Sequence, residues 1–152
     1  MSVTQAHGKV DSTQAAQLGN ELTPLGAERA GNAEGTIPAW TGGASAPAHY
    51  RSGMHHPDPY ADDAVLYQIS HEHTEQNASL LPEGLRDLLE RHPEYYLRVF
   101  PTRRSAAAPE RVYEATRQNA LNAELVENGN GITGAAAGIP FPIPQNGTEV
   151  IW

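Results

Sequence analysis

With 152 residues the chain falls within the usual range for one domain, yet its 14 glycines, 12 prolines and apolar content of only 39% argue against an efficient core throughout. Ten Lys and Arg against 18 Asp and Glu leave a net charge of −8, which disfavours nucleic acid and anionic membrane surfaces, since both require clustered cations. The absence of cysteine removes disulfides and thiolate metal sites, and no run approaches the roughly 18 apolar residues that cross a bilayer.

Residues 1–12 are polar and read as a mobile lead-in. Ser12 is placed to cap a short helix over 13–18, with Gly19 as its stop. Residues 23–62 carry Pro24, Gly26, Gly31, Gly35, Pro38, Gly42, Gly43, Pro47, Gly53, Pro57 and Pro59, a density that breaks helix and strand alike. Leu25, Ile37, Trp40, Tyr50, Met54 and Tyr60 punctuate that stretch, so it reads as an ordered segment draped over a surface rather than a linker.

Val65-Leu66-Tyr67-Gln68-Ile69 reads as a short strand. Leu81, Leu85, Leu88, Leu89 and His92 recur at helical spacing, and Pro82 and Pro93 bracket a helix between them. Residues 95–100 form an extended piece stopped by Pro101. A second helix is expected from Pro109 to about Glu127, with Val112, Thr116, Ala120 and Ala123 as a narrow packing stripe. In 128–152 the alternate prolines Pro140, Pro142 and Pro144 force an extended run from which Phe141 and Ile143 project. The ending Val150-Ile151-Trp152 predicts an element that continues past Trp152.

Three blocks carry a resemblance. The first joins Leu22-Thr23-Pro24-Leu25-Gly26-Ala27-Glu28-Arg29-Ala30-Gly31-Asn32 to Gly35-Thr36-Ile37-Pro38-Ala39-Trp40-Thr41-Gly42-Gly43. The second joins Phe100-Pro101-Thr102-Arg103-Arg104 to Pro109-Glu110-Arg111-Val112-Tyr113. The third runs from Gly129-Asn130-Gly131 through Gly138-Ile139-Pro140-Phe141-Pro142-Ile143-Pro144 to Asn146-Gly147 and Glu149-Val150-Ile151-Trp152. Together they resemble the N-terminal part of an uncharacterised Gram-negative periplasmic family likened to outer-membrane lipoprotein-sorting proteins. The resemblance implies an α+β, lipoprotein-carrier-like fold, a half-open antiparallel barrel that shelters an acyl chain or similar ligand. The strands of that barrel would lie beyond residue 152. It also implies secretion, with a signal peptide already removed, and partnership with an inner-membrane transporter and an outer-membrane protein. It supplies no catalytic residues.

Several residues are candidates for chemistry. His55, His56, His71 and His73 are metal-ligand types, and alternate histidines on a strand share a face. None stands in an established ligand spacing, so solvated or capping histidines are the simpler reading. Asp62-Asp63 and Glu72 with Glu75 could pair as acid and base, but a turn or cap explains the aspartates as well. The Gly129-Asn-Gly-Ile-Thr-Gly run lacks the lysine of a phosphate loop and reads as a turn. Arg103 and Arg104 suit an anionic head group or an ion pair with Glu110 or Glu114. Trp40, Tyr50, Phe100, Phe141, Ile143 and Trp152 are core packing or the lining of a greasy site, with Trp40 and Phe141 on the stiffest backbone.

The sequence therefore predicts one incomplete α+β domain over 1–152, without cofactor or catalysis, that binds or passes a hydrophobic or lipid-like molecule. The alternatives are an interaction module that wraps a partner and, behind it, a metal hydrolase using the histidines.

Overall fold

Asp11, not Ser12, starts the first helix. In the computed structural model, which describes residues 9–152, its carboxylate accepts the Gln14 N–H at 2.8 Å while the Gln14 side chain accepts the Asp11 N–H. This capping box shifts α1 to Ser12–Ala15 and leaves Gly19, at φ +88°, in the following turn. Within the lead-in, Val10 donates its N–H to the Ala120 carbonyl and is buried, so the segment from residue 9 is held in place. The part of the expected lead-in before residue 9 lies outside the described residues.

The remaining elements, in order, are β1 (Tyr67–Ser70), a 3-10 turn (His71–His73), α2 (Glu83–Arg91), β2 (Tyr96–Val99), α3 (Glu110–Asn122), β3 (Glu124–Val126), a second 3-10 turn (Glu127–Gly129), β4 (Gly131–Thr133) and α4 (Gly147–Ile151). Helices mixed with two small antiparallel sheets make the fold α+β, and among the described residues the strands pair two by two without closing a barrel. Among the described residues, the Pro- and Gly-dense stretch between α1 and β1 holds no helix or strand, as its composition dictates, and its bridges are the isolated Leu18–Leu22 and Leu22–Glu28 pairs.

The expected helix over 109–127 stops earlier. Ala123 turns to extended backbone at ψ 136°, and Glu124–Val126 then pairs antiparallel with Gly131–Thr133. The reason is local: Leu125, Val126 and Ile132 suit strands, and the Asn- and Gly-rich turn between them closes the hairpin.

The chain divides into two compact units, one of residues up to Ser45 with Arg104–Trp152, the other Ala46–Arg103. In the first, Val10, Leu18 and Ala120 form the core, with Ala15, Leu22 and Ile143 packed against it. Of the expected stripe, Thr116 and Ala120 on α3 and Ala123 just past its end are buried, and Val112 is half-buried. Asn119, on the same helix, is buried with them. Gly26 passes so close to Pro142 that a Cβ there would overlap the Pro142 carbonyl, which joins the first and third sequence blocks.

In the second unit α2 lies on the β1–β2 hairpin. Ile69, Leu81 and Leu89 are buried, and Leu85, Leu97 and Val99 pack on them. The expected strand at 65–69 slides to 67–70 because its register is set by 96–99, with Ile69 opposite Leu97 and Tyr67 opposite Val99. His92 does not continue the α2 stripe; it caps the C-terminus and lies exposed beside Glu94.

Candidate functional site

The register of β1 and β2 decides which side chains stay bare. Residues directly opposite share a face, and faces alternate along each strand. Ile69, Leu97 and Val99 point to α2, so Gln68, Ser70, Tyr96 and Arg98 point away from it, with Phe100 continuing that side beyond β2 and Leu66 just before β1. Among the described residues no third strand pairs with β1 and β2.

That outer face mixes polar and large apolar side chains in the open. Leu66 is 60% exposed, Tyr96 51% and Phe100 42%. Val65, Tyr67 and Tyr95 at the strand ends are exposed too, Tyr67 on the α2 side with Val99. Several large apolar side chains in the open on one small element make this a candidate binding face. Arg98 stands among them: its guanidinium lies over the Phe100 ring, 5.7 Å from the centroid, and among the described residues it has no ion-pair partner.

The residues singled out from the sequence are divided between the two units. Tyr50, Phe100 and Arg103 belong to the 46–103 unit, and Trp40, Arg104, Phe141, Ile143 and Trp152 to the other. Phe100 joins the open face. Tyr50 is half-buried and tilts against the His56 ring with centroids 4.9 Å apart. Arg103 forks onto both carboxylate oxygens of Asp63 and covers the Tyr60 ring at 5.1 Å. The hydrogen bond to Asp63 raises the guanidinium above its ordinary pKa, against the opposing effect of desolvation. Neither Glu110 nor Glu114 is its partner, which corrects the expected pairing; Glu110 meets Arg117 instead.

Arg104 is a backbone staple. Its terminal nitrogens donate to the carbonyls of Glu28, Arg29, Ala30 and Pro38. The Trp40 N–H donates to the same Arg29 carbonyl, and the indole Nε1 donates to Ala106 at 2.8 Å. The first sequence block is thus draped on the second, and both arginine and tryptophan hold their own chain. Phe141 is 5% exposed and Ile143 packs on the Val10–Leu18–Ala120 core, so both serve packing. Trp152 is half-exposed and donates from Nε1 to the Gly129 carbonyl at 2.9 Å.

The histidines do not form a metal cage. Among the described residues no group of three or more His, Cys, Asp or Glu side chains is disposed to hold a metal ion. His56 Nδ1 lies 3.0 Å from the Pro57 carbonyl, and His73 Nδ1 lies 2.9 Å from Ser70 Oγ in a capping arrangement. His71 and His73, expected to share a strand face, sit in a 3-10 turn that breaks the alternation.

Sequence reasoning missed Leu66, Tyr96 and Arg98 as a set. The extended piece over 95–100 was visible, but it is apolar on both faces, so only its partner strand tells inner from outer.

Two comparisons relate the chain to known proteins. The family described as "Protein of unknown function (DUF1329)" matches residues 68–152, a span that begins within β1 and includes β2. The uncharacterized protein PA3922 of Pseudomonas aeruginosa is 44% identical over 151 residues, 98% of this chain and 33% of that protein. The chain therefore spans about a third of the length of the curated relative it matches. Neither description ties the chain to lipoprotein sorting. No solved structure matches.

Proposed function

The chain belongs to the family described as protein of unknown function (DUF1329), and from that premise we propose that it binds a hydrophobic, lipid-like molecule on the outer face of the β1–β2 hairpin. The observation that carries this reading is the exposure of Tyr96 on the sheet face turned away from α2, with Leu66 and Phe100 exposed at the strand ends beside it. Covering those side chains removes apolar area from water, at roughly 25 cal/mol per Å². The role is one of binding or carriage rather than catalysis. A periplasmic setting, exchange with an envelope transporter and an outer-membrane protein, and the lipoprotein-carrier likeness belong to the same proposal and rest on the sequence resemblance.

Native mass spectrometry of the chain, purified without delipidation, tests it. The expected spectrum has an adduct of lipid-like mass that Leu66→Ser with Phe100→Ser removes. A bare mass for the unaltered chain, together with no binding of a long-chain alcohol on titration, would sink the reading. A second reading, docking to a protein partner, draws on Val150 and Ile151 of α4, exposed at 68% and 87%. Loss of partner binding on Ile151→Ser with the adduct unchanged would favour it.

A further inference from the structure

Resting on that reading, we infer that the ligand of the hairpin face is a single-chain amphiphile with a carboxylate head, and that Arg98 receives the head. Four residues of strand give a lane about 13 Å long, and neighbouring strands lie about 5 Å apart. A lane two strands wide accommodates one extended hydrocarbon chain. Leu66, Tyr96 and Phe100 supply its apolar contacts, and Gln68 and Ser70 are polar but uncharged.

Arg98 is the face's charged residue, and it is exposed. Its guanidinium is held over Phe100 rather than by a carboxylate, so its N–H groups remain available to a ligand. A guanidinium presents a planar fork that matches a carboxylate with two parallel hydrogen bonds, stronger than neutral ones. The other arginines in contact with neighbours are differently employed: Arg103 is committed to Asp63 and Arg104 to backbone carbonyls.

Other occupants fit the charge less well. A second copy of this chain laid symmetrically on the same face would bring two Arg98 side chains into one interface without a counter-charge. An anionic bilayer is disfavoured by the chain's net charge of −8, whereas one small anion meets only the local cation.

The experiment is calorimetric titration of the 152-residue chain with dodecanoate and with dodecan-1-ol, each below its micelle concentration and at low salt. The chain is expected to bind the acid about tenfold more tightly than the alcohol. Arg98→Gln should bring the two affinities within about twofold, and Arg98→Lys should keep part of the preference, because a point charge replaces the fork. Rising salt should shrink the preference in the unaltered chain. Unchanged circular dichroism and melting temperature of both variants confine the effect to the head-group contact. Equal binding of acid and alcohol, or a preference that survives Arg98→Gln, overturns the head-group assignment and leaves hydrophobic binding standing. Binding of neither overturns both.

Discussion

The side-chain amide of Asn119 pairs with the backbone of Ala136 in both directions, its Oδ1 accepting the Ala136 N–H at 2.7 Å and its Nδ2 donating to the Ala136 carbonyl at 3.1 Å. The same Nδ2 donates to Ile139, and the neighbouring Thr116 hydroxyl accepts the Ile139 N–H. One helical turn of α3 therefore supplies the polar partners that the loop between β4 and α4 lacks. With Asn119 1% exposed, water cannot take over these bonds. Asn119→Ala should destabilise the fold by about 3 kcal/mol, the cost of orphaned buried polar groups. Asn119→Asp should also destabilise it, because a carboxylate would face two carbonyls. Urea unfolding with an unchanged slope and a lowered midpoint checks both.

Gly26 and Gly35 separate contact from conformation. Both have positive φ, +94° and +70°, but a Cβ at Gly26 would overlap Pro142, whereas nothing lies within 4 Å of one at Gly35. Gly35→Ala should cost about 1 kcal/mol, the penalty of left-handed backbone alone. Gly26→Ala should cost at least twice as much, since the backbone of Pro142 must move. Melting temperatures of the two variants, compared directly, decide the order.

Leu89 is fully buried where α2 meets the hairpin. Leu89→Ala removes its side chain from a core of few residues and should cost about 3 kcal/mol. The loss should be greatest in the 46–103 unit, so hydrogen exchange there should accelerate more than at Asn119. Equal acceleration at both places would show that the units unfold together.

Arg104→Lys keeps the charge but not the spread of donors, and a lysine ammonium cannot span four carbonyls as a guanidinium does. The Trp40 N–H, bonded to the Arg29 carbonyl that Arg104 also holds, should exchange faster, and the 29–44 segment should become a protease target.

For Arg103 the sign of the pH effect follows from its raised pKa. Its contribution is complete below the ordinary guanidinium pKa and is lost only as pH rises beyond the still higher folded value. Between pH 6 and 9 the stability difference between the unaltered chain and Arg103→Gln should therefore show no slope from this group. A difference that falls steadily across that window in thermal melts contradicts the pairing.

Much of the local structure was legible. Leucine spacing and flanking prolines placed α2, the small residues Thr116, Ala120 and Ala123 marked the buried side of α3, and Pro and Gly density kept 23–62 free of helix and strand. These are short-range effects of backbone conformation and side-chain pattern, which neighbouring residues settle among themselves. The mixture of helices with small antiparallel pairs followed from the same reading. Where local rules competed, partners a few residues along the chain decided. Asp11 took the cap from Ser12 through Gln14, and α3 gave way to a hairpin once Ile132 was there to pair with Leu125.

The candidate site belongs to the second kind of information. The sequence by itself determined that Tyr96, Arg98 and Phe100 alternate with Leu97 and Val99 on an extended piece, and that Arg103 and Arg104 are adjacent cations. Only the tertiary structure decided that α2 covers Leu97 and Val99, leaving the other side bare, and that the two arginines are spent on Asp63 and on four carbonyls from 66 to 76 residues away. The physical reason is that alternation fixes which side chains share a face but not which face is buried. That choice is made by a helix whose apolar stripe must leave water and can do so on one side alone.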